Sequence, residues 1–158
     1  MAGDRFYAAQ SGHTALLLPP VDATGGKASA AFNFSMWRHA SIIVALGVTA
    51  AAPTAILLEA CTDAAGDGAT AIPFDYYSQE TANGDVLSTH LTATAAGITP
   101  SGNDNIFYQI EIDADALPAG SSYLRVHITA GANSTLATVI LVLSEGRYAG
   151  ESSPTVLV

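Results

Sequence analysis

Between Ile106 and Asp113 apolar and polar side chains alternate strictly: Ile106, Tyr108, Ile110 and Ile112 fall on one side, and Phe107, Gln109, Glu111 and Asp113 on the other. A repeat of two held over eight residues is the period of a strand, not of a helix. The stretch 123–129 has the same form, with Leu124, Val126 and Ile128 directed inward and Tyr123, Arg125, His127 and Thr129 outward. The linker between them, 114–122, contains Pro118 and Gly120 and has room for a helical turn at most. These two strands are therefore either neighbours or partners across two sheets.

Further strands are predicted over 15–18, 31–35, 40–48, 54–62, 72–78, 85–94 and 136–143. Two runs, 42–46 and 139–143, are almost continuously apolar, the pattern of central strands covered on both faces. The breaks between strands carry turn residues, among them Ala52-Pro53, Gly66-Asp67-Gly68, Asn83-Gly84, Pro100-Ser101-Gly102 and Glu145-Gly146. No helical stripe of useful length occurs. About nine short strands in one chain predict an all-β, single-domain antiparallel β-sandwich, immunoglobulin-like or jelly-roll-like in topology. The ends differ in texture, which predicts an N-terminal arm over 1–30, a sandwich body over 31–149 and a C-terminal arm over 150–158. Both arms carry apolar residues: Phe6, Tyr7 and Leu16 to Leu18 in one, Val156, Leu157 and Val158 in the other. Such arms either add to a neighbouring subunit or pack on their own domain.

Composition changes this picture in one respect. Only 12% of the 158 residues are charged, Lys27 is the sole lysine, and the formal net charge is −9. A soluble domain normally carries about a quarter charged residues, so a surface this bland is expected to meet other proteins. The acidic balance argues against nucleic acid and anionic membranes as partners. The amino terminus lacks the basic and apolar regions of a signal peptide, and 41–52 is too short and too rich in small residues to span a bilayer. Synthesis in the cytosol, with the protein soluble until it meets its partner, is the expectation.

Candidate chemistry is thin. Cys61 is the only cysteine, so no internal disulfide can form, and its setting in a strand predicts a buried, inert thiol. Asp63, Asp67 and the intervening Gly66 offer carboxylates in a loop, but the alternating ligands of a calcium loop are missing and a tight turn explains the same residues. His13, His39, His90 and His127 fall in no metal-ligand spacing. There is no nucleophile elbow, Walker loop or dinucleotide fingerprint. A pair of carboxylates suited to glycoside hydrolysis would be invisible in sequence if its members came from different strands. The expectation is a protein with no catalytic residues, no metal and no cofactor. Trp37 and Arg38, next to His39, read either as an exposed aromatic and cationic anchor or as a partly buried tryptophan beside a snorkelling arginine, with the anchor preferred. Exposed aromatics such as Tyr76, Tyr77 and Tyr123 would also suit a carbohydrate-binding module.

Five stretches in order, 39–47, 59–74, 105–113, 123–126 and 147–154, resemble small structural proteins of tailed bacteriophages, of the minor capsid, head decoration or cement type. The resemblance covers most of the chain from about residue 35 onward. It implies a virion component on the capsid exterior that binds the major capsid protein or other virion proteins and fastens neighbouring coat subunits, with a head-to-tail or tail position as the alternative. Self-association into dimers or trimers is expected alongside. The contact residues expected on this reading are Phe6, Tyr7, Trp37, Arg38, Arg147, Tyr148, Val156 and Leu157.

Overall fold

The computed structural model describes residues 12–82, 84–147 and 157. The chain forms eleven strands in these residues: β1 (His13–Asp22), β2 (Lys27–Ala28), β3 (Phe32–Asn33), β4 (Trp37–Thr49), β5 (Ile56–Cys61), β6 (Thr70–Ile72), β7 (Phe74–Gln79), β8 (Leu91–Ala93), β9 (Ile106–Asp113), β10 (Tyr123–Ile128) and β11 (Thr135–Gly146). One sheet runs β1-β11-β4-β9-β7-β8, and the other β2-β10-β5-β6 with β3 also on β10. Every pairing is antiparallel.

The pairings nest: β1 with β11, β2 and β3 with β10, β4 with β9, and β5 with β6. A long hairpin whose tip is the 62–69 loop has been rolled up, which is the jelly-roll course and not the immunoglobulin one. β7 and β8 are additions that widen the first sheet beyond β9. Between the sheets, Val44, Ile110 and Leu141 meet Leu58, Leu124 and Val126, all fully buried. Each such side chain stabilises the fold by roughly 1.5–3 kcal/mol relative to exposure. Tyr108 puts a hydroxyl into this layer, where it donates to Glu80 Oε1 (2.8 Å) and accepts from Ser101 N (2.8 Å). Burial, followed by the Glu80 carboxylate, pushes this phenol well above its usual range.

Several expectations need correction. From His13 onward the predicted N-terminal arm is body: β1 is the edge strand of the first sheet, and Leu17 and Leu18 lie in the core. A register shift at Leu17 turns both leucines inward, which alternation could not foretell. The predicted strand 72–78 is two strands in different sheets, split at Pro73, which has no N–H for a ladder and turns the corner. Of the predicted 85–94 only Leu91–Ala93 is strand, because Ser88 substitutes for the ladder: its N–H donates to Ser78 O (2.8 Å) and its Oγ accepts from Ser78 N (2.9 Å). Of the two arrangements left open for 106–113 and 123–129, the structure has the second: they lie in opposite sheets, joined through a 3₁₀ turn at Ala114–Ala116. Finally, β4 and β11 are central in their sheet, yet only one face of each is covered: Ile43, Ala45, Ile140 and Val142 are half-buried on the outside.

Candidate functional site

The two outer faces of the sandwich differ in kind. On the six-stranded sheet, Ile43 sits between Ile140 and Gln109, Ala45 between Thr138 and Phe107, and Leu16 beside Ile140. Together with Val142 and Leu136 they form an apolar surface, with Leu16 51% and Leu136 48% exposed. Gly47 lacks a side chain beside Leu136, and a shallow open groove of about 360 Å³ runs there, lined by Pro20, Ala45, Phe107 and Thr138 among others. Among the described residues no second layer covers this face.

Apart from Asp22, opposite Leu136, the charges of this sheet collect at one end. His39 projects from β4 directly opposite Asp113 on β9, and its Nδ1 lies 2.7 Å from Asp113 Oδ1. Its Nε2 lies 2.8 Å from Glu111 Oε2, which also accepts from Ser41 Oγ at 2.6 Å, while Gln109 Nε2 donates to Glu111 Oε1 at 2.6 Å. Partial burial opposes the charged imidazole most strongly, but the bonds and charges of Asp113 and Glu111 together outweigh it and raise the His39 pKa above its usual 6.5.

Ser41, His39 and Asp113 follow the order of a hydrolytic triad, with Ser41 Oγ 3.5 Å from Nε2. Their chemistry is different. The Ser41 proton already goes to Glu111, and Nε2, facing a carboxylate, is a donor and not a base. Ser41 also lies mid-sheet, where its backbone pairs with Val142 and Glu111 and offers no oxyanion hole. A cleft of about 310 Å³ brings Asp75, Glu111, Asp113 and Asp115 together, so acidic residues from different strands do share a site. The His39 ring, however, stands between Glu111 and Asp113.

On the opposite face, polar groups are sealed in. Glu59, 9% exposed, receives Arg125 Nε at 2.6 Å and His127 Nδ1 at 3.1 Å. Desolvation raises the Glu59 pKa, but the bonds from Arg125 and then His127 overcome it and hold the carboxyl below its usual value. The hairpin tip folds over this pair. It is a tight turn in which Asp67 N donates to Asp63 Oδ1 (3.0 Å) and Gly66 packs on the Arg125 guanidinium. Cys61, in the same strand, is buried, and burial pushes its thiol up.

Of the expected contact residues, the structure unites two. Arg38 and Arg147 are exposed and line one cleft of about 440 Å³ with Asp113, Asp115 and Glu145, next to the His39 cluster. Among the described residues neither arginine forms a salt bridge. Trp37 is not the anchor expected: it is 5% exposed, packed near His13 and against Gly146. β4 begins with its indole turned into the sandwich, where aromatic area is worth most. Leu157 is half-buried and packs against the protein's own hydrophobic core. Phe6, Tyr7, Tyr148 and Val156 lie outside the described residues. The tyrosines proposed for sugar stacking do not form a platform: Tyr76 packs inward on Phe74 and Tyr108, Tyr77 lies on the outer face of one sheet, and Tyr123 belongs to the other sheet.

Sequence reasoning missed the His39 and Glu59 clusters and the apolar face. Alternation assigned Glu111 and Asp113 to the polar side of their strand, but it left His39 outside any strand and cannot say that β4 and β9 are neighbours.

No protein-family model matches the chain, and no curated protein matches it. Among solved structures, the SPBc2 prophage-derived protein YomS aligns with a TM-score of 0.42 and 14% identity, over 83% of this chain and 92% of that one. A superposition at that level carries no weight for function, which rests on the residues above.

Proposed function

We propose that this chain is a non-enzymatic structural protein of a tailed-phage particle, a decoration or cement protein that binds the outer capsid surface and bridges coat subunits. The observation that carries the reading is the plain outer face of the six-stranded sheet. Leu16, Ile43, Phe107, Leu136, Ile140 and Val142 stand on it, and among their cross-strand partners only Asp22, opposite Leu136, is charged, in a chain of net charge −9. A contiguous apolar patch of this kind marks a docking surface, and an open sheet face suits a broad, shallow partner.

The sequence resemblance to phage head proteins is what selects a viral shell from among such partners. The acidic surface fits an exterior position, since the protein is repelled by packaged DNA. Many copies, as dimers or trimers, would supply through avidity what one modest interface lacks.

The test is addition of purified protein to bare expanded capsids. Binding at a fixed stoichiometry, with greater resistance of the capsids to heat or chaotrope, is the expected result. Saturating protein that leaves capsids unbound and no more stable would remove the decoration role, and binding to tails or connectors in its place would assign the head-to-tail or tail position.

A further inference from the structure

Beyond this reading, we infer that His39 is a pH-operated clamp that fixes the charged end of the six-stranded sheet while protonated and releases Asp113 when it loses its proton. The geometry carries the inference. Both ring nitrogens lie within 2.8 Å of carboxylate oxygens, Nδ1 on Asp113 and Nε2 on Glu111. Only the imidazolium has a proton for each. The neutral ring has one N–H and one lone pair, so one carboxylate then faces a lone pair and must move.

Which one moves follows from their surroundings. The Glu111 side chain is 20% exposed and is already held by Ser41 and Gln109, so stranding it would leave a poorly solvated charge. Asp113 is 68% exposed and can exchange the histidine for water. Asp113 is also the residue from which the 3₁₀ turn Ala114–Ala116 starts, and it makes no side-chain cap to that turn. It lines both the cleft holding Asp75 and Thr92 and the cleft holding Arg38 and Arg147. Its release therefore loosens the junction of β9 with the turn and alters both clefts at once.

The charged and titratable groups around His39 are these: Glu111 and Asp113 from β9, Arg38 from β4, Glu145 and Arg147 beside the opposing Ser144 of β11, Asp75 from β7 and Asp115 from the turn. Carboxylates outnumber arginines, so the field at His39 favours the proton, in the same direction as its two direct bonds.

The experiment is an NMR titration of the full-length protein, following the four histidine rings and the backbone amides. His39 is expected to titrate above 6.5, and the amides of residues 113–117 to shift with the same midpoint. In His39→Gln those amides should lose that midpoint. In Asp113→Asn, which keeps the shape of the site, the His39 midpoint should fall by roughly one unit. A His39 midpoint at or below 6.5, amides that do not follow it, or an unchanged midpoint in Asp113→Asn would each overturn the clamp. None of these outcomes depends on capsid binding.

Discussion

The two outer faces of the sandwich solve opposite problems. On the five-stranded sheet a carboxylate, Glu59, lies between two nitrogen bases, Arg125 and His127, and the hairpin tip folds over them. On the six-stranded sheet a base, His39, lies between two carboxylates at one end, and the remaining surface is apolar and uncovered among the described residues. The first face is finished within the chain, where its ion pair is shielded and locally satisfied. The second leaves Ile43, Phe107 and Ile140 half-exposed, a cost in water that is recovered when another surface lies on them. Charge is therefore placed as a sealed structural joint on one side and mainly at one end of the proposed docking surface on the other.

The comparison breaks most readily on the sealed side. Arg125→Ala leaves Glu59 shielded with only His127 as partner, and loss of one member of a buried pair costs about 3 kcal/mol. Urea denaturation should show that loss; a change of a few tenths would mean that Glu59 is effectively solvated. The tip gives a smaller effect. Gly66 has φ +83° and a Cβ there would meet the Arg125 guanidinium, so Gly66→Ala should destabilise by about 1–2 kcal/mol and lower the urea midpoint without changing its slope.

On the plain side the order of effects reverses. Ile140 points outward at the middle of the sheet, so Ile140→Glu should cost less than about 1 kcal/mol of stability. The same substitution should weaken binding to capsids roughly tenfold or more, because it buries a charge in the proposed interface. A variant that folds and still binds like the parent would move the docking surface elsewhere.

How much of this was legible beforehand depends on what each feature rests on. Period-two alternation placed β9 and β10 almost to the residue, because both present one face to the core throughout. It failed at Leu17, where a register shift breaks the period, and at Pro73, where one apolar run serves two sheets. The continuous runs over 42–46 and 139–143 predict doubly covered strands, because sequence cannot distinguish an apolar face covered by its own domain from one left open, as the outer face here is among the described residues. Arg38 and Arg147, far apart in sequence, line one cleft, while Trp37 is turned inward. The His39 and Glu59 clusters depend on which strands are neighbours, a property of the rolled hairpin and not of any segment of it.

The smallest effect, and the one that separates the two ion clusters most sharply, is the pH dependence of stability. The folded pKa of Glu59 is lowered, so its contribution is complete above the unfolded carboxyl value near 4.5 and is lost as pH falls through the folded one. The folded pKa of His39 is raised, so its contribution is complete below about 6.5 and is lost as pH rises through the folded value. Between 4.5 and 6.5 both are present, and denaturation midpoints measured across pH should be highest there. His39→Gln should flatten the alkaline decline and leave the acid one unchanged, whereas Arg125→Ala should reduce the Glu59 part of the acid decline alone. If His39→Gln leaves the alkaline limb as steep as before, the carboxylates of β9 are held by something other than this histidine, and the resemblance between the two clusters is one of geometry without energetic consequence.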